Sequence, residues 1–226
     1  MFVQLSPNQI EKMFKSLENV DDSELYDMSY PTYVNANPIV RRLFWQRYKT
    51  IFKLAVSKTE INNSLEFGCG MGLFLPTLRA ITHGKLCAVD LTPKTAMYVA
   101  DKHNLDVEFA NSLEQIEDNS LDLIVAADVL EHIEDLEKYI KLFIEKMRKN
   151  GILLVSGPTE NIWYKIGRHL VNILSSTKDV YKSDYHVRNI YDIEKMVGKE
   201  MQINRRIRLP HAALPQLFCV FEATKI

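Results

Sequence analysis

Residues Leu65 to Gly72 read LEFGCGMG, an apolar lead-in and the acid Glu66 followed by glycine at positions 68, 70 and 72. Glycines this dense allow positive φ and let a ligand approach the main chain with no Cβ in the way. A strand ending at Phe67, this turn, and a helix beginning near Leu73 make a nucleotide-binding βα unit. A dinucleotide fingerprint would carry its third glycine at position 73, where this chain has Leu73. Glu66 at the strand end would repel a pyrophosphate and suits a cationic ligand. Asp90 closes the next apolar run, and a carboxylate there offers two acceptor oxygens to the two hydroxyls of a ribose.

Two histidines have a context that could do proton chemistry. His132, in DVLEHIED, follows a strand end on the expected ligand-binding edge, and His186, in SDYHVRNIYD, lies in an insertion before the last helix. A loop-shaping role competes for the first and a plain surface position for the second. His83, His103, His169 and His211 have no such context. Asp128, Glu131 and His132 could be drawn as a metal site, but neighbours on one loop rarely converge, so no metal is expected.

The elements that must hold these residues follow from periodicity. Asn37-Pro38 opens a helix through Ala55 with Ile39, Leu43, Phe44, Tyr48, Ile51 and Leu54 at helical spacing. YDMSYPTYVNAN before it reads as irregular. Short apolar runs then alternate with helices: Ser64–Phe67, Leu86–Asp90, Val107–Ala110, Leu121–Asp128 and Gly151–Gly157. Thr92-Pro93 predicts an N-cap and first-turn proline for a helix towards Asn104. Glu134–Lys149 predicts a helix with Leu136, Ile140, Phe143, Ile144 and Met147 buried and Gly151 as its stop. Alternating strands and helices imply a parallel sheet covered on both faces. Met201–Arg208 and Leu217–Ala223 are joined by a segment too short for a crossover helix, which predicts an antiparallel hairpin at the edge. Domain boundaries follow as a helical extension over 1–60 and a nucleotide-binding domain over 61–226, with 159–190 as an inserted cover. In that cover, Trp163, Ile166, Leu170 and Ile173 share one helical face and Lys165, Arg168 and Asn172 lie away from it.

With 226 residues, 46% hydrophobic, 25% charged and a net charge of −1, the chain has the composition of an ordinary globular domain with no general attraction for nucleic acid. Cys69, Cys87 and Cys219 show no CxxC or Cys/His spacing, which excludes a disulfide framework or zinc ribbon and favours a reducing compartment. No signal peptide or spanning apolar run is read, and a cytoplasmic location is expected.

LEFGCGMG, AVDLTP, FANSLEQI and LDLIVAADVLEHI, in this order and spacing, resemble the class I S-adenosylmethionine-dependent methyltransferases of the small-molecule, UbiE/UbiG-like type. The resemblance covers about residues 60–160. It implies an α/β, doubly wound, Rossmann-like seven-stranded sheet of order 3-2-1-4-5-7-6 with the last strand antiparallel, preceded by the helical extension. It also implies S-adenosyl-L-methionine as cofactor. Glu66, Gly68, Cys69, Gly70 and Gly72 would surround its methionine part, Asp90 its ribose and Leu91 its adenine. The family's acid after the third strand is replaced here by Asn111, within Ala110-Asn111-Ser112, and an uncharged acceptor there would cost about 1 kcal/mol of affinity. Asp128 and Val129 would line the pocket beyond the fourth strand.

The activity implied is an in-line methyl transfer to a small molecule, at oxygen first, with a base needed only for an acceptor that must lose its proton early. His132 and His186 are the candidates for that base. The cover segment would favour an apolar or aromatic acceptor, with membrane contact as a lesser reading and no nucleic-acid partner. A non-catalytic cofactor-binding subunit with a large apolar interface is the rival, and a nicotinamide oxidoreductase is disfavoured by Leu73 and Glu66. Acceptor, pathway and oligomeric state are left open.

Overall fold

A computed structural model describes residues 1–15, 30–57, 60–174, 186–210 and 214–226. The apolar runs form strands β1 (Ser64–Phe67), β2 (Leu86–Val89), β3 (Glu108–Ala110), β4 (Leu121–Ala127), β5 (Met147–Pro158), β6 (Gln202–Leu209) and β7 (Phe218–Thr224). They pair in one sheet of order β3-β2-β1-β4-β5-β7-β6. β1 to β5 run parallel, and β7 lies antiparallel to both β5 and β6. The reversal of strand order between β1 and β4 opens the crevice where ligands of such sheets bind.

The α-helices among the described residues are α1 (Pro7–Lys15), α2 (Tyr30–Tyr33), α3 (Pro38–Ala55), α4 (Leu75–Arg79), α5 (Lys94–Lys102), α6 (Leu136–Lys146), α7 (Ile162–Leu174) and α8 (Ile190–Val197). On one face of the sheet, Leu65, Phe67, Ile124 and Leu153 pack with Ile140 and Phe143 of α6 and Ile193 of α8. On the other, Leu123, Val125 and Leu154 meet Ile51 and Leu54 of α3 and Leu78 of α4. Alternation along β1 therefore turns Glu66 towards α3, inside the protein. A third cluster joins Leu5, Ile10, Phe14, Tyr33 and Trp45 to Met71 and Leu73 of the glycine loop. Leu73 is thus an anchor for the N-terminal helices, which explains why a glycine does not stand there.

Helix α3 begins and ends where its sequence says, and the Asn37 side chain accepts from Ile39 N. Three boundaries differ from expectation. The glycine loop runs on to Leu75 before α4 begins. Thr92 does not cap α5, whose N-cap is Pro93; its amide donates to Asp90 Oδ1 at 3.0 Å. Helix α6 spans only Leu136–Lys146, and Met147 already pairs with Leu121. Lys146 Nζ lies 2.5 Å from Asp118 Oδ1, and Arg148 Nη1 lies 3.1 Å from Asp122 Oδ1. These two ties flank Met147, which is fully buried in the sheet. Gly151 is accordingly a strand residue, not a helix stop.

Helix α7 forms, and the described part of its expected apolar face is exposed. Trp163 and Ile166 are exposed, and Tyr164 packs edge-on against Phe218 with ring centroids 5.5 Å apart. The side chains of Arg168, Leu170, Asn172 and Ile173 lie outside those described. YDMSYPTYVNAN contains the short α2, with 26–29 outside the described residues. No described helix is long and apolar enough to cross a membrane.

Candidate functional site

The glycine loop leaves β1 with Gly68, Gly70 and Gly72 all at positive φ. A Cβ on Gly68 would stand 2.3 Å from Val129 Cγ2, and one on Gly72 would stand 2.8 Å from the Ala96 backbone. Both glycines are therefore required by the close approach of the β4 loop and of α5. Asp90 fastens the loop: Gly70 N donates to its Oδ2 at 2.8 Å and Thr92 N to its Oδ1 at 3.0 Å. Thr95 Oγ1 donates to Gly70 O at 3.0 Å. Each Asp90 oxygen keeps a lone pair for a further donor.

Two adjoining cavities open at this edge. The larger, about 410 Å³, is lined by Gly68, Cys69, Gly70, Met71, Leu73, Asp90, Leu91, Thr92, Asp128, Val129 and His132, with Tyr33, Arg47 and Tyr48 as its far wall. The smaller, about 250 Å³, is lined by Phe67, Val89, Leu91, Asn111, Ser112, Leu113, Ile133 and Tyr139 and shares Gly68, Asp90, Val129 and His132 with the first. Leu91 is almost fully exposed at their junction. Asn111 N donates to Gln115 Oε1, and Ser112 caps the following turn through Glu114 N. Among the predicted cofactor residues, only Glu66 and Gly72 are not at a cavity surface.

Glu66 lies beneath it, 1% exposed, with Oε2 lacking a hydrogen-bond partner. Burial, and then Asp90, push its carboxyl well above the usual carboxylate range. Burial likewise raises the Tyr48 hydroxyl and the Cys69 thiol.

Arg47 is a site residue that the sequence reading missed. It is 4% exposed, forms an ion pair with Asp128 Oδ2, and lies over the rings of Phe44 and Phe218 at 4.3 and 4.6 Å. Burial opposes its charge, but Asp128 and then Tyr33 outweigh this and hold the guanidinium charged. Ser156 Oγ also donates to Asp128 Oδ2, at 3.2 Å, while Asp128 Oδ1 is buried without a partner. Asp128 has φ +54°, a left-handed conformation that a non-glycine holds at a cost of about 1 kcal/mol or more. The readable signal was an arginine on the apolar stripe of α3, between Phe44 and Ile51.

The structure brings together two histidines that the sequence held apart. The rings of His132 and His186 lie 4.9 Å apart at 69°. Glu131, His132 and His186 each place one ligating atom within 4.8 Å of the others, the one such grouping among the described residues. Asp128, paired with Arg47, is not part of this grouping, which takes His186 in its stead. His186 Nδ1 is 2.5 Å from Glu160 Oε1, a partner that no spacing in the sequence announces.

The methyltransferase domain family matches residues 39–224. A ubiquinone biosynthesis O-methyltransferase of Rickettsia typhi is 29% identical over 106 residues, 45% of this chain and 42% of that protein. The chain spans less than two thirds of the length of the curated relatives of that name. Among solved structures, the N-methyltransferase NodS of Bradyrhizobium japonicum WM9, in complex with S-adenosyl-L-homocysteine, superposes with TM-score 0.63 at 17% identity over 96% of this chain and 97% of its own. The magnesium protoporphyrin IX methyltransferase of Synechocystis PCC 6803, with the same product bound, gives TM-score 0.65 at 17% identity over 91% and 96%. At these identities the structures share the fold.

Proposed function

This chain belongs to the methyltransferase domain family, and on that premise we propose that it transfers a methyl group from S-adenosylmethionine to the oxygen of a small apolar or aromatic acceptor. The observation that carries the reading is the set of charged groups at the paired cavities: Asp90 and Asp128 on the lining and Glu66 buried beneath it, around one buried cation, Arg47. A site for phosphates would need the opposite balance. A nucleoside bearing a sulfonium and an amino acid matches it.

The residues present fit that cofactor. The unpartnered Asp128 Oδ1 suits its ammonium, and Arg47 keeps N–H groups for its carboxylate. Asp90 offers lone pairs to the ribose, and the smaller cavity between Leu91, Asn111 and Ser112 has the size and lining for the adenine. The bound cofactor supplies an activated methyl on a good leaving group. The chain supplies alignment through the glycine loop, exclusion of water by the Tyr33–Tyr48 wall, and His132 and His186 for an acceptor proton.

Isothermal calorimetry on the folded protein tests this. S-Adenosylmethionine and its demethylated product should bind in the micromolar range, and Asp90→Ala should weaken both at least about 100-fold, since it removes an acceptor and unfastens the loop. Absence of binding by both ligands would end the proposal.

One observation favours a second reading, a cofactor-binding subunit without turnover of its own. Ile162, Trp163 and Ile166 form an exposed apolar face on α7. Binding without turnover of any acceptor, restored by a partner protein, would select it.

A further inference from the structure

His186 is brought to His132 by a deliberate set of contacts. Val187 N donates to Glu131 O at 2.8 Å. Arg188 Nη1 donates to Ile133 O, and its Nη2 to Glu134 O at 2.5 Å. These bonds clamp the C-terminal end of the 159–190 segment onto the loop that carries His132. Glu160, which holds His186 Nδ1, sits at φ +51°, so the chain also accepts backbone strain to place this carboxylate. The His186 side chain is only 9% exposed, whereas His132 is exposed and lines both cavities. A surface-loop histidine needs none of this.

We propose that His132 and His186 act as one imidazole pair that takes the proton of a hydroxyl acceptor, with His132 as the base at the cavity and His186, oriented by Glu160, as the positioning residue behind it. The inference rests on the methyl-transfer reading above. In the step, the acceptor oxygen forms its bond to the methyl carbon while the carbon–sulfur bond breaks and its electron pair stays on sulfur. The acceptor proton passes to an imidazole nitrogen of His132. Glu160 accepts from Nδ1–H of His186, which leaves the other nitrogen of that ring as an acceptor. The charged groups facing the pair are Glu131 from the same loop, Glu160 from the end of β5, and Arg188, whose guanidinium is taken up by carbonyls. The two carboxylates favour the cationic form that His132 reaches once it has taken the proton.

Nitrogen-15 NMR titration of the histidine rings tests the pair on the full chain saturated with S-adenosylhomocysteine. Glu160→Gln should change the tautomer of His186, read from the shifts of its two ring nitrogens, because the lost carboxylate fixed Nδ1 as the protonated one. His186→Asn should move His132 by a few tenths of a unit or more, and Glu160→Asp should return part of the wild-type behaviour. A phenol methylated in preference to the matched aniline supports the proposal, and the reverse preference overturns it. His132 titrating at one pH in wild type and all three variants would sink it. So would stoichiometric Zn²⁺ retained through dialysis with both rings perturbed, since the nitrogens would then be ligands. Loss of S-adenosylhomocysteine binding by the wild-type chain would instead end the methyl-transfer reading, so the two failures are distinct.

Discussion

Glu66 occupies the face of β1 that meets Tyr48, buried beneath the cavity with one oxygen unpartnered. Its raised pKa has a defined consequence for the ligand-free protein. Between the ordinary carboxylate value and the raised one, the folded state holds a proton that the unfolded chain has released. Stability therefore falls as pH rises through that window. Glu66→Gln removes this dependence, so its urea-unfolding free energy should be flatter with pH and higher than wild type near neutrality. The same variant should bind S-adenosylmethionine more weakly while its affinity for the uncharged thioether product changes less, because an ionised Glu66 is compensated only by the sulfonium. Equal losses for both ligands in calorimetry would refute this role. The glycines and the acids at 66 and 90 were legible in the sequence because main-chain exposure and ligand charge are local properties. Glu160 was not, since only the folded chain brings the end of β5 to His186.

Among the elements, α3 shows where sequence reasoning succeeds and where it stops. Its limits were readable from Asn37-Pro38 and the apolar stripe through Ala55. Its contribution to the site was not, because Arg47 on that stripe reads as an irregularity until Asp128 arrives from β4. The N-terminal anchor is similar. Ser6 and Gln9 form a reciprocal cap at the start of α1, with Ser6 N donating to Gln9 Oε1 at 2.8 Å and Gln9 N to Ser6 Oγ at 3.3 Å. The Ser-x-x-Gln spacing that makes this cap is a local signal in the sequence. The end of α6 was ambiguous for a physical reason: Met147 is buried whether it closes a helical stripe or opens a strand, and the pairing that distinguishes the two is made to Leu121 of β4. Arg47→Met leaves Asp128, half-buried at the cavity, without its counter-charge and should cost about 2–4 kcal/mol of stability, somewhat less than for a fully buried pair. Arg47→Met combined with Asp128→Asn should recover most of that loss, because no lone charge remains. Urea unfolding of the two single variants and the double variant gives the coupling directly, and additive losses would show that the pair does not act as a unit.

At the scale of the molecule, the site is assembled from parts far apart in the chain. The loops after β1, β2 and β4 form its floor, and the Tyr33–Tyr48 segment forms its far wall. Tyr33 stacks on Tyr48 at 6.1 Å and Tyr48 on Phe74 at 4.8 Å, so the wall is continuous with the helix that follows the glycine loop. A ligand seated between floor and wall must stabilise both together, whereas one held by the loops alone would leave the wall unchanged. S-Adenosylhomocysteine at 100 times its dissociation constant adds about 2.7 kcal/mol to the folded state. For a chain of this size that corresponds to a rise in Tm of roughly 5–10 °C. Hydrogen exchange should locate the gain, with slower exchange at the amides of Gly68–Gly72, at Asp90–Thr92 and across residues 44–48 of α3. The β6 edge strand is outside both cavities and packs on β7 through its own ladder. Its exchange should change only as far as the whole protein is stabilised. Protection confined to the loops, with α3 unaltered, would mean that the N-terminal helices stand clear of the ligand and that Arg47 serves Asp128 alone.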